Sequence, residues 1–217
     1  MGKVICAGLG PGDPDLMSLR AHRAVSGARR IAYFRKKGRA GNARRIVEGM
    51  LAPGCVEYPM EYPVTTEIPF DDPRYVDALA TFYDGSFMHV FIRLRGRVEL
   101  EVIPGITGMA GCWNVADLPF TWGDDVCTVL MGTLSEEALA HHMAGADAIV
   151  VMKTGRNLPK VRRALEKAGR LGEALLIERG TMPGQRVVRL AEADVVDCPY
   201  FATVLVAGNG RRPMVAE

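Results

Sequence analysis

The chain has 217 residues, 48% of them hydrophobic, which is enough apolar material for one large packed domain or two smaller ones and too much for a disordered chain. Lys and Arg together number 27 against 25 Asp and Glu, so the overall charge does not mark a nucleic-acid binder or a basic tail. No run reaches the roughly 18 apolar residues of a membrane helix, and the first residues lack the basic start and long apolar stretch of a secretion signal, which together predict a cytoplasmic protein outside the membrane.

Short runs rich in Val, Ile and Leu alternate with helical stretches, a pattern that predicts an α/β protein with parallel sheets and crossover helices. The first strand is Val4 to Ala7, and it opens into "GLGPGDPDLMS", Gly8 to Ser18. A dinucleotide loop needs Gly at its first, third and sixth positions; Gly8 and Gly10 match, but the sixth position is Asp13. Pro11 lacks an amide donor and a carboxylate at Asp13 repels phosphate oxygens, so the loop is poorly suited to a phosphate. Asp13 suits a helix N-cap, with Pro14 at the first position of a helix over Pro14 to Ser26. Two readings stand: a well-capped strand-to-helix turn, or a backbone wall against an uncharged or cationic ligand.

A second strand, Arg30 to Phe34, lies in a basic run from Arg29 to Arg45 that contains no acid until Glu48. A helix over Asn42 to Leu51 and a strand over Val56 to Met60 follow, then helices over Pro73 to Tyr83 and Ser86 to Leu94. Here the alternation breaks. "ATFYD" meets "GSFMHVFIRL" at Asp84 and Gly85 with no strand between, whereas a parallel sheet requires the chain to return through it after each crossover helix. Either Gly85 kinks one long helix, or a strand and its loops, roughly 15 to 30 residues, are absent from the chain.

After the strand Glu99 to Ile103 and the helix Thr107 to Ala116, the breakers in "PFTWGDD" predict a boundary between an N-terminal α/β domain over 1–119 and a C-terminal α/β domain over 124–217. In the latter, strands are predicted over Val126 to Met131, Ala148 to Lys153, Ala174 to Glu178, Arg186 to Leu190 and Thr203 to Ala207, with helices Glu136 to Met143 and Pro159 to Ala168 between the first three. Cys6, Cys55, Cys112, Cys127 and Cys198 are scattered and read as reduced thiols, most of them in cores. The four histidines show no metal-ligand spacing, and His141 and His142 read as surface residues of a helix.

"GLGPGDPDLMSLRAHRAV" resembles the opening signature of the tetrapyrrole methylases, which use S-adenosylmethionine to methylate corrin and sirohaem precursors. "VIPGITGMAG" and "ERGTMPGQRVVRL" resemble two further motifs of that family, while "YFRKKGRAG", "EYPMEYPVTTEI", "GSFMH" and "EVIPGITGMAGCWNVADLPFTWGDDV" resemble its branch acting on C20 of precorrin-2. The resemblance implies two unlike α/β domains with the cofactor folded in the cleft between them, a homodimer, a tetrapyrrole substrate and no nucleic-acid partner. It assigns cofactor contacts to Pro11, Thr107, Gly108, Lys153 and Gly180, although the family has an apolar residue where Lys153 stands; Met131 joins them only by its place at the end of the first strand after the boundary. It also implies that the element absent at Asp84 and Gly85 is a strand ending in a Gly-Asp-Pro loop that touches the methionine part of the cofactor.

Methyl transfer from a sulfonium to an enamine-like carbon asks for alignment rather than a nucleophilic side chain, and no catalytic base is legible. Asp124 and Asp125 suit a loop cap at least as well. The basic run gains a use against a polycarboxylate macrocycle, with Arg35, Lys36 and Arg39, in the loop after the second strand, as the substrate rim. Alternatives remain open: a cobalt-loaded substrate or another corrin position, a non-catalytic homologue that binds tetrapyrrole or S-adenosylhomocysteine, and an RNA-modifying relative of the same fold, which the motifs do not support.

Overall fold

The computed structural model describes residues 2–63, 72–74, 77, 78, 80, 82, 96–208 and 210. The break at Asp84 and Gly85 and the helix read over Ser86 to Leu94 lie outside them. Contacts divide the chain into two compact units, Met1–Ile106 and Thr107–Glu217. Among the described residues no helix is long and apolar enough to cross a membrane.

The first unit contains β1 (Lys3–Ala7), α1 (Leu19–Ser26), β2 (Arg30–Lys36), α2 (Asn42–Ile46), β3 (Val56–Tyr62) and β4 (Glu99–Ile103). These strands form two separate parallel pairs, β1 with β4 and β2 with β3. The helix expected from Pro14 is interrupted. Asp13 caps only a short 3-10 turn over Pro14–Leu16 by accepting from the Asp15 amide at 2.9 Å, and Ser18 then starts α1 by accepting from the Ala21 amide at 3.2 Å. Two good N-caps five residues apart give two starts, and Ser18 wins because the apolar positions Ala21 and Val25 of its helix are buried. The helix read over Asn42 to Leu51 also stops early, at Ile46.

An ion cluster ties β1, β4 and α1 together. Lys3 Nζ lies 2.7 Å from Glu99 and 2.8 Å from Glu101, and Arg20 of α1 also binds Glu101. The hydrogen bond from Lys3, then that from Arg20, holds the Glu101 carboxyl below the ordinary carboxylate range.

The second unit contains α3 (Gly108–Val115), β5 (Cys127–Met131), α4 (Glu136–Ala144), β6 (Ala148–Met152), α5 (Leu158–Lys167), β7 (Leu175–Glu178), β8 (Arg186–Arg189) and β9 (Ala202–Val206). Its sheet has the order β5-β6-β9-β7-β8 and is not the parallel sheet that the alternation suggested: only β5 and β6 run parallel. The link from β7 to β8, residues 179–185, is too short for a crossover, which needs about a dozen residues, so the chain turns back as an antiparallel neighbour.

One face of this sheet, Leu130, Ile149, Val151, Leu176, Val204 and Val206, packs on Leu139 and Met143 of α4 and Leu158, Val161 and Leu165 of α5. The opposite face, Ala148, Val150, Ile177 and Leu205, packs on Cys112 of α3 and on Phe120, with Met109 and Trp113 beside them. All five cysteines are free, but only Cys112 is buried; Cys6, Cys55 and Cys198 are half-buried, and Cys127 is exposed because it shares the uncovered face of β5 with Val129 and Met131.

Since the folded pKa of Glu101 lies below its unfolded value, the cluster contributes stability that is present above the ordinary carboxylate range and is lost as pH falls through the folded value. Glu101→Gln is expected to lower the urea midpoint at neutral pH, with the difference from the unsubstituted protein shrinking on acidification. A difference that stays constant with pH would contradict this role.

Candidate cofactor site

The loop that follows β1 leaves the sheet against the loop that follows β4. The Gly8 amide donates to the Ile103 carbonyl at 2.8 Å, extending the β1–β4 pairing by one step. A Cβ at Gly8 would lie 2.6 Å from the Gly105 nitrogen, and one at Gly105 would lie 2.8 Å from the Gly8 carbonyl carbon, so the two backbones touch where no side chain fits. Gly10 takes a φ of 89°, which turns the chain so that Pro11 sits half-buried in the loop.

Thr107 follows two residues after Gly105 and caps α3, its Oγ1 accepting from the Ala110 amide at 3.2 Å. Gly108, the first residue of α3, faces open space: a Cβ there would meet nothing within 4 Å, so close packing does not explain it.

In the second unit Met131, Lys153 and Gly180 stand at one end of the sheet, at or just past the C-terminal ends of β5, β6 and β7. The Gly132 amide donates to the Met152 carbonyl at 2.7 Å, and a Cβ on Gly132 would lie 2.9 Å from the Lys153 carbonyl oxygen. Lys153, Arg179 and Thr181 have φ values of 54°, 48° and 64°, a left-handed conformation that costs a non-glycine residue about 1 kcal/mol or more. Such strain persists only where surrounding contacts hold it, here Asn157 Nδ2 donating to the Lys153 carbonyl at 3.0 Å and the Arg179 amide donating to the Phe201 carbonyl at 2.7 Å.

Thr181 adds a second signal. Its Oγ1 is a buried side-chain oxygen with no hydrogen-bond partner among the described residues, while its amide donates to Gln185 Oε1 at 2.8 Å. A buried hydroxyl without a partner carries a desolvation cost that a ligand can relieve. Neither Arg179 nor Thr181 was singled out by sequence: a β-branched residue is an unlikely occupant of left-handed backbone, so its type concealed its conformation. Gly180 between them is buried, and a Cβ there would lie 2.7 Å from Cys112 Sγ of α3, so this glycine serves the packing of α3 on the sheet.

The basic run is only partly available to a substrate. Arg35 and Lys36 lie inside β2 and not in a loop, because the strand continues past Phe34 in register with β3. Arg35 faces its cross-strand partner Glu61, with Nε and Nη2 at 3.0 and 2.6 Å from Oε1. Arg44 likewise binds Glu57 at 2.8 Å, and Tyr33 donates to the same carboxylate at 2.9 Å. Arg39 lies in the exposed turn that follows β2, its amide donating to the Lys36 carbonyl at 3.0 Å. Asp125 accepts from the Trp122 amide at 2.9 Å, which makes it a loop cap. Among the described residues no group of three or more His, Cys, Asp and Glu is placed to hold a metal ion.

The family model described as Tetrapyrrole (Corrin/Porphyrin) Methylases matches residues 3–74 and 80–195. The chain belongs to the tetrapyrrole methylases. It is 45% identical to a precorrin-2 C(20)-methyltransferase from Sinorhizobium sp over 240 positions that cover 98% of each chain. It is 29% identical to a cobalt-precorrin-2 C(20)-methyltransferase from Salmonella typhimurium, over 228 positions covering 94% of this chain and 96% of the relative. Among solved methylase structures, a cobalt precorrin-4 methyltransferase aligns with a TM-score of 0.65 at 18% identity, covering 94% of both chains. A uroporphyrin-III C-methyltransferase from Thermus thermophilus complexed with S-adenosyl homocysteine aligns with a TM-score of 0.55 at 21% identity, covering 95% of this chain and 97% of the other.

The alignments also show a shortage. For the Sinorhizobium methylase, 98% of 217 residues is about 213, against 240 aligned positions, so about 27 positions of the relative have no counterpart here. For the Salmonella methylase, 94% of 217 is about 204 against 228, a difference of about 24.

The residues present fit the cofactor of this methylase family. A loop with Pro11 in place of an amide and a carboxylate at Asp13 suits a sulfonium cation better than a phosphate, and the buried Thr181 hydroxyl offers a hydrogen bond without a rival partner.

Because the missing Cβ of Gly180 points at α3, Gly180→Ala is expected to destabilise the protein by about 1–3 kcal/mol. Cys112→Ala in the same chain should recover part of that loss in a double-mutant cycle read by urea unfolding. Strict additivity of the two substitutions would show that the contact does not limit the packing.

Proposed function

We propose that this chain transfers a methyl group from S-adenosylmethionine to C20 of precorrin-2 in cobalamin biosynthesis, giving precorrin-3A and S-adenosylhomocysteine. The observation that carries the reading is 45% identity across 98% of both chains to a methylase named for that reaction. The lower identity of 29% to the methylase named for the cobalt-loaded substrate favours the metal-free one.

Bound S-adenosylmethionine supplies an activated methyl group. The chain's own residues bind, orient and exclude water. In the first unit Pro11 and the touching backbones of Gly8 and Gly105 offer a rigid surface to the cofactor; in the second unit Thr107 and Gly108 offer the start of α3. Met131, Lys153, Gly180 and the Thr181 hydroxyl hold the cofactor at the end of the second sheet. Lys153 acts there through its strained backbone, and Gly180 by keeping α3 seated. Arg39, in the exposed turn after β2, meets a carboxylate of the macrocycle, with Lys36 beside it at the end of β2; Arg35 would have to exchange Glu61 for a substrate carboxylate. The Pro and Gly breakers support a covalent boundary between the two domains at residues 119–124, whereas contacts divide the chain earlier, at Ile106 and Thr107, and seat α3 in the second unit; the protein works as a cytoplasmic homodimer. Five free thiols support that compartment and the family resemblance supports the dimer.

The shortage of about 27 residues favours a second reading, a methylase homologue that binds tetrapyrrole or S-adenosylhomocysteine without turnover. Incubation with S-adenosylmethionine and precorrin-2 separates the two. The enzyme releases S-adenosylhomocysteine and a product heavier by one methyl substitution at C20; the binder shifts the pigment absorbance and releases none. With turnover in hand, Arg39→Ala is expected to raise KM for the tetrapyrrole several-fold while leaving kcat within about twofold, the signature of a contact made equally in ground and transition states. An unchanged KM removes Arg39 from the substrate rim.

A further inference from the structure

In the first unit β1 pairs only with β4 and β2 only with β3 among the described residues, so each presents one edge to no other strand. Such edges carry backbone donors and acceptors that pair readily with an added strand. Between them lies a cavity of about 810 Å³, whose walls include Val4 and Cys6 of β1 and Ala32 and Phe34 of β2, with Val25 of α1 and Val47 on its helical side. One strand within a sheet occupies a slab about 4.8 Å wide, about 10 Å deep and about 3.3 Å long per residue, so five residues need about 790 Å³. The cavity volume is thus of the order that one strand as long as β1 or β4 occupies.

Two further observations say what would fill it. The relatives carry about 27 residues for which this chain has no counterpart, enough for a strand with its loops. The end of the cavity where β1 and β2 begin is basic: Lys3, Arg29 and Arg30 line it, and among the described residues neither Arg29 nor Arg30 forms an ion pair. We infer that the gap between β1 and β2 is an acceptor site for an extended peptide, apolar along about five residues and acidic at its N-terminal flank, which completes the sheet by running parallel to both strands. Main-chain hydrogen bonds to the two edges supply the affinity and the basic end sets the direction. This inference goes beyond methylation and stands on the sheet and the family alignment.

The probe is a fluorescein-labelled synthetic peptide, Asp-Glu-Val-Ala-Val-Leu-Val, titrated into the intact chain by anisotropy. Its control carries Pro at the central Val, which removes a ladder donor and the strand conformation without altering the protein. Alkylation of Cys6, on the cavity wall, is followed by mass spectrometry in parallel, with the exposed Cys127 as internal reference. The expected result is saturable binding that the Pro peptide does not show, with the Cys6 alkylation rate falling several-fold at saturation and the Cys127 rate unchanged. Equal binding of the Pro peptide, or an unchanged Cys6 rate at saturation, would overturn the proposal. Calorimetry with S-adenosylhomocysteine on the same sample reads the methylation reading separately, so the failure of one is not taken for failure of the other.

Discussion

A parallel strand sandwiched between helices has to give its amides and carbonyls to neighbours on both edges, because no water reaches them to substitute. The second unit meets that requirement: β6, β9 and β7 each have partners on both sides, and their side chains are almost all buried. Among the described residues of the first unit the strands form two pairs with a cavity between β1 and β2. The ion contacts follow the same division. The ion cluster of Lys3, Glu99, Glu101 and Arg20 and the cross-strand pair Arg35–Glu61 stay within one pair of strands or link it to its own helix, so neither spans the gap.

Around several of the candidate cofactor residues, though not at Gly108, backbone is placed where side chains cannot go. Gly8 and Gly105 touch; Gly132 meets the Lys153 carbonyl; Gly180 meets Cys112. Left-handed backbone at Lys153, Arg179 and Thr181 brings further peptide groups to the ends of β6 and β7. Methyl transfer from an already activated donor needs position more than acid–base chemistry, and rigid backbone supplies position at little conformational cost. That suits a site in which no nucleophile or base is legible.

Most strands were legible in the sequence because apolar runs bounded by Gly, Pro and Asp carry their own punctuation; β4 matches its expected limits, and the others differ by a residue or two at their ends. Strand direction in the second unit was misread from the general alternation, although the short link from β7 to β8 already excluded a crossover. The start of α1 was misplaced because both Asp13 and Ser18 are good caps, and only burial of Ala21 and Val25 chooses between them. Arg35 looked like a loop cation because its partner Glu61 lies on another strand, a pairing that register decides and local composition does not. Thr181 was invisible for the reason that makes it interesting: its residue type argues against its conformation.

Hydrogen exchange, amide by amide, tests the interrupted sheet most directly. Protection reports how each hydrogen bond opens, and an interrupted sheet opens locally without global unfolding. The account predicts strong protection across β6 and β9, with exchange orders of magnitude faster at amides of β1 and β2. Protection of β1 and β2 equal to that of β6 and β9 would mean that the first sheet is continuous, and would contradict it.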